Sequence, residues 1–144
     1  MKIPHHKYNV APRTERYSAI LNRTFHSKAE RRYAEHLYAR QQNGEIHGLD
    51  FQIRVVLRDR VLSIPMIVDF KYFDERLDEW VWDEFKGMET PSFRRQKKAW
   101  ALLGPGLYRI TKANFRDKME PYRFEEIRPA ADEPARTSGM EKGQ

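Results

Sequence analysis

The chain contains no cysteine, which excludes disulfides and thiolate metal sites. Long apolar runs are missing too. Stretches such as Val61–Leu62 and Met66–Ile67–Val68 fall far short of the roughly 20 residues a membrane-spanning helix needs. Nothing apolar follows the first basic residues, so no signal peptide is expected and the chain reads as soluble and cytoplasmic. There is no Gly-rich phosphate loop, no defensible Ser-His-Asp order, no zinc spacing and no internal repeat.

With 144 residues the chain can build one core and hardly two. Eight Phe, seven Tyr and three Trp supply a packed interior. The net charge of +6 is spread unevenly, because residues 49–90 hold ten Asp/Glu against six Lys/Arg while both flanks of that segment are basic. Basic flanks suit a polyanion such as DNA, and concentrated carboxylates suit a divalent cation.

Residues 1–25 read as a basic arm, 26–118 as the folded domain, and 119–144 as an extension that turns to disorder-prone composition from Arg128. Ser27-Lys28-Ala29-Glu30 forms a capping box for a helix that ends near Asn43-Gly44. Alternation predicts a half-buried strand from Leu49 to Leu57, with Leu49, Phe51, Ile53, Val55 and Leu57 on one face. Pro65 to Phe73 is apolar on both faces until Asp69 and Lys71, which predicts a central strand. A charged turn over 74–79 leads to a third strand, Trp80 to Lys86. Thr90-Pro91 caps a second helix that Gly104-Pro105-Gly106 stops. Leu107 to Thr111 is a further strand, and Tyr122 to Ile127 a weaker candidate. The result is an α/β domain with a mixed central sheet flanked by helices, in the order αβββαβ.

Chemistry concentrates at Asp69 and at Glu84-Phe85-Lys86. Residues two apart on a strand share a face, so Glu84 and Lys86 project together. A hairpin through the 74–79 turn brings Asp69 opposite Glu84. Two carboxylates hold Mg2+ or Mn2+, which polarises a phosphate and acidifies a bound water. A lysine then offsets the charge that builds up during phosphodiester hydrolysis. The plainer alternative is a same-face ion pair of Glu84 and Lys86, with Asp69 solvating a strand end. Against it, Asp69 lies inside Met66-Ile67-Val68-Asp69-Phe70, where a buried unpaired charge is costly.

Ser27–Glu30 on a first helix, Gln52 on the next strand, Val68-Asp69-Phe70 and Asp83-Glu84-Phe85-Lys86-Gly87 together resemble the PD-(D/E)XK nuclease superfamily. The likeness covers about residues 25–118. More narrowly it is similar to small phage- and prophage-encoded endonucleases, and the plan is shared by archaeal Holliday junction resolvases and transposase endonuclease subunits. The resemblance implies a restriction-endonuclease-like core. It also implies a divalent-metal-dependent DNA endonuclease acting on recombination or replication intermediates and leaving a 5′-phosphate. Asp69, Glu84 and the backbone carbonyl of Phe85 would ligate the metal, Lys86 would be the catalytic lysine, and Glu30 would reach the metal from the helix. Gln52 would line the site. Val68 stands where the family's motif has proline, and Asp83 competes with Glu84 for the metal-facing place.

The second helix would border the substrate groove, with Arg94, Arg95, Lys97 and Lys98 as phosphate contacts and Gln96 or Lys98 nearer the active site. A homodimer would suit two symmetric cuts. The rival readings are an inactive DNA-binding relative and a protein-interaction module using Trp80 and Trp82. His5 and His6 are too isolated for a metal site, and Tyr108 and Phe115 read as core.

Overall fold

The computed structural model describes residues 11–130, so His5, His6 and most of the expected disordered tail lie outside the described residues. The two long helices begin where the sequence supplies their caps. Ser27 Oγ accepts from the backbone N–H of Glu30 (3.0 Å) at the head of α2 (Lys28–Gln42). Thr90 Oγ1 accepts from Phe93 (3.1 Å) at the head of α3 (Pro91–Leu103). Each cap satisfies an N–H that the first helical turn leaves unpaired. Gly44, at φ +76°, takes the left-handed position after α2.

Before α2 come a single turn, α1 (Arg13–Arg16), and a two-stranded ribbon of β1 (Tyr17–Ser18) and β2 (Arg23–Thr24). The arm expected up to residue 25 is therefore structured from residue 11 onward, with Ser18 and Phe25 packed into the fold. Phe25 is buried in the core, and buried Ser18 donates to Glu35 (2.7 Å). The main sheet holds β3 (Ile46–Arg58), β4 (Ser63–Asp74), β5 (Glu79–Phe85), β6 (Leu107–Ala113) and β7 (Tyr122–Ile127), in that spatial order. Among the described strands only β5 and β6 run parallel, joined through α3 as a parallel pair requires. β7 closes the far edge against β6, so the folded unit runs through Ile127 and does not stop at 118. This is an α/β fold with a mixed five-stranded sheet.

Two apolar clusters cover opposite faces. Val81 and Leu107 pack with Tyr33, Ala34 and Leu37 of α2, whereas their neighbours Trp82 and Tyr108 pack with Phe93 and Trp100 of α3. Adjacent strand residues point to opposite faces, which puts the helices in separate layers. Trp100 is fully buried, and its indole N–H donates to the Gly106 carbonyl (2.8 Å). A Cβ on Gly104 would lie 2.3 Å from Trp100 Nε1. The Gly-Pro-Gly segment is therefore needed for close approach as well as for stopping the helix.

The β3–β4 hairpin departs from the expected alternation. Leu49 and Phe51 pack with the α2 cluster, but Ile53, Val55 and Leu57 pack with the α3 cluster, so these five residues do not share one face. The change falls at Gln52, whose φ is +54°. A non-glycine residue in the left-handed region interrupts the strand's two-residue period. The partner strand changes layer at the same level, between Val68 in one cluster and Phe70 in the other. Pairing of β4 with β5 is confined to Phe70–Asp74, so β4 is central only in its second half and Ile67 is exposed. Phe115, expected in the core, is also half exposed.

On the α2 face, Asp83 is completely buried. It accepts hydrogen bonds from the hydroxyls of Tyr33, Tyr72 (2.6 Å) and Thr111 (2.7 Å). Arg109 donates to the Tyr72 hydroxyl (3.2 Å). A buried carboxylate is tolerable when its lone pairs are taken this way. The cluster ties α2 to three strands, and Tyr33 lies one helical turn beyond Glu30. Asp83 thus secures the helix that carries Glu30 and does not face the site.

Candidate active site

Asp69 sits where the hairpin passes from one layer to the other, and it gathers groups from both. Its register, one step past the Phe70–Asp83 pair, places it opposite Glu84. The Asp69 Oδ2 accepts from the backbone N–H of Phe85 (3.0 Å), and Oδ1 accepts from the side-chain amide of Gln52 (3.4 Å). The left-handed backbone of Gln52 lies beside Asp69. Such a conformation costs about 1–2 kcal/mol in a non-glycine residue, and it marks a place where the surrounding fold overrides local preference.

Glu30 comes from the first turn of α2. Its Oε1 accepts the backbone N–H of His26 (2.9 Å) and lies 3.5 Å from the His26 imidazole Nδ1. Ligand atoms of His26, Glu30 and Asp69 all lie within 4.8 Å of one another. Glu30, Asp69 and Glu84 are each buried. Burial raises the Glu30 carboxyl, and the charge of Asp69 raises it further. Burial pushes Glu84 up to about 9, with the Asp69 charge adding to the effect and Lys86 opposing it. Carboxylates behave this way when crowded out of water without enough positive charge.

Lys86 shares the Glu84 side of β5. Its ammonium rests 4.6 Å from the centre of the Phe93 ring, and it lies close enough to Glu84 to favour the ionised carboxylate. The Tyr108 hydroxyl is buried and finds no hydrogen-bond partner among the described residues. Burial and the nearby charges of Glu84 and Asp69 hold its proton on. Beside the carboxylates opens a cavity of about 170 Å³ lined by Arg23, Thr24, Phe25, His26, Glu30, Phe51 and Gln52.

The fold therefore brings together Glu30, Gln52, Asp69, Glu84, Phe85 and Lys86. Three further groups escaped the sequence reading. His26 could have been found from its position four residues before Glu30, just outside the helix cap. Tyr108 offered no local signal, because its role depends on β6 lying beside β5. Arg23, stacked 4.6 Å over Phe51, required the ribbon. Among the α3 cations, Lys97 is tied to Glu89 and Glu125 (2.9 Å each), which removes it from the expected phosphate contacts. Arg94, Arg95 and Lys98 are exposed, and Gln96 is half-buried. Trp82 is buried, leaving Trp80 as the exposed member of that pair, with Lys71 between their rings (4.9 and 4.8 Å).

The donor set suits a hard divalent cation. Asp69 lies close to both Glu30 and Glu84, and both glutamates hold protons more tightly than glutamate ordinarily does. Positive charge beside Asp69 would relieve both. No helix among the described residues is long and apolar enough to cross a membrane. Compared with known proteins, the chain matches no family model, no curated protein and no solved structure.

Proposed function

We propose that this chain is a divalent-metal-dependent deoxyribonuclease whose sheet and two helices form a restriction-endonuclease-like core. One observation carries the reading: buried Asp69 lies close to both buried Glu30 and buried Glu84, brought from two other elements, with Lys86 beside Glu84. A fold with no use for that crowding would replace at least one charge, because like charges in low dielectric are destabilising.

Glu30, Asp69 and Glu84 are the residues that would hold Mg2+ or Mn2+, with the Phe85 carbonyl as an added oxygen. When bound, the cation supplies Lewis-acid polarisation of a phosphate oxygen and acidifies water. The protein's own groups do the positioning. Gln52 and the Phe85 N–H each hold one oxygen of Asp69. Lys86, kept in place by the Phe93 ring, offers fixed positive charge where negative charge grows in the transition state. Tyr108 carries a buried O–H beside Glu84 that would donate at the same centre. Arg94, Arg95 and Lys98 lie on the helix that follows the Glu84–Lys86 segment and would meet backbone phosphates.

The test compares cleavage of plasmid, linear, flap and four-way-junction DNA by wild type and Asp69→Ala, with Mg2+, Mn2+ or EDTA. Cleavage that requires metal and disappears in the variant is the expected result, and the favoured substrate defines the role. Equal DNA binding by both proteins with no cleavage by either would instead leave a DNA-binding module.

A further inference from the structure

The β3–β4 hairpin does not end at the site. Beyond Gln52 and Asp69 it continues as two strands with no third neighbour among the described residues, since β5 pairs only with Phe70–Asp74. One face of this extension is closed against α3 by Leu57 and Met66. The other face exposes Val56 and Ile67, in register with Pro65 and Arg54 respectively. At the tip, Asp59 Oδ1 accepts from the backbone N–H groups of Val61 (2.7 Å) and Leu62 (2.6 Å), and Asp59 N–H donates to the Leu62 carbonyl (3.0 Å). This bonding fixes the loop so that Val61 is 89% and Leu62 52% exposed. Two aliphatic side chains are thus presented to water at the tip.

Charge identifies what they meet. Within residues 53–68 the basic groups are Arg54, Arg58 and Arg60, and Asp59 is the sole carboxylate. Asp59 is occupied by its own loop. A second copy docking on this face would set arginine against arginine, which is repulsive. A partner with an anionic exterior and an apolar, stacked interior fits both the cations and the aliphatic tip.

We infer that the hairpin is a wedge for duplex DNA, with Arg54, Arg58 and Arg60 on the phosphates and Val61 and Leu62 inserted at a base step. Apolar side chains used in this way unstack and kink DNA. Six residues separate Asp69 from Ser63, a reach of about 20 Å at strand rise. The unstacked step would then lie about six steps from the phosphate at the carboxylates. This rests on the nuclease reading for that distance, but not for the insertion itself.

The experiment uses the full chain with Ca2+, which holds complexes without turnover. Duplexes carry a fluorescent adenine analogue, bright when unstacked, at successive positions. Wild type and Asp69→Asn should brighten the analogue several-fold at one or two steps. Val61→Ser/Leu62→Ser should lose that signal and bind on the order of tenfold more weakly, given the apolar surface removed. Both residues are exposed, so an unchanged urea midpoint is expected, and Val61→Ser alone keeps the test available if the double variant unfolds. Equal brightening, or none, in wild type and double variant overturns the wedge even where Mg2+-dependent cleavage stands. Brightening in Ca2+ with no cleavage in Mg2+ or Mn2+ sinks the nuclease reading and leaves the wedge. If the double variant instead loses self-association in sedimentation, or loses binding to anionic vesicles, while its DNA complexes are unchanged, the wedge is wrong and the surface serves a second copy or a membrane.

Discussion

Replacing Glu84 by glutamine removes a charge from the most crowded point of the site while keeping the side chain's shape. In the metal-free protein the Glu84 carboxyl is pushed up to about 9, from an ordinary 4.5, first by burial and then by Asp69. Between those values the folded state holds a proton that the unfolded chain has released. Stability therefore falls as pH rises through that window. The slope is at most about 1.4 kcal/mol per pH unit. Between about pH 6 and about pH 8 the wild type should lose about 1–3 kcal/mol that Glu84→Gln does not lose. Urea unfolding in EDTA at both pH values measures this as a difference between the two proteins, which cancels the titration of the histidines. Mg2+ should then raise the wild-type midpoint more than that of the variant, because ionised oxygens bind it and a neutral amide binds it poorly. Parallel pH profiles for the two proteins would refute the reasoning, since Glu84 would then be neither desolvated nor opposed by Asp69.

Lys86→Met should lower the cleavage rate by about 10²–10³-fold while the Mg2+-induced shift in midpoint persists, as read by single-turnover kinetics and thermal melts. Gln52→Gly relieves the positive φ and should stabilise the protein by up to about 1 kcal/mol. It also takes the amide from Asp69, so cleavage should fall about tenfold even as the urea midpoint rises. Asp83→Ala leaves the Tyr33, Tyr72 and Thr111 hydroxyls without their acceptor and should cost about 2–4 kcal/mol. Loss of cleavage with an unchanged unfolding midpoint would show instead that Asp83 faces substrate.

Local chemistry determined much of this protein before any folding. Ser27 and Thr90 start the helices because short hydroxyl side chains satisfy the first N–H groups, and Gly44 ends α2 because it accepts a positive φ. The two-residue period of Trp80, Trp82, Glu84 and Lys86 decides which of them share a face, and the short turn after Asp74 decides that Asp69 meets Glu84. These are relations among near neighbours, and a single sequence carries them. Tertiary structure decided the rest. Asp83 and Glu84 are adjacent carboxylates of equal local merit, and only the three hydroxyls gathered from α2, β4 and β6 turn one inward and leave the other to the site. Lys97 differs from Lys98 because Glu125 arrives from β7. The layer change at Gln52 has no local cause, since glutamine does not favour that backbone; packing against two separate clusters imposes it. Tyr108 joins the site through the docking of a parallel strand, and His26, though local to Glu30, meets Asp69 only because the fold brings the head of α2 to β4.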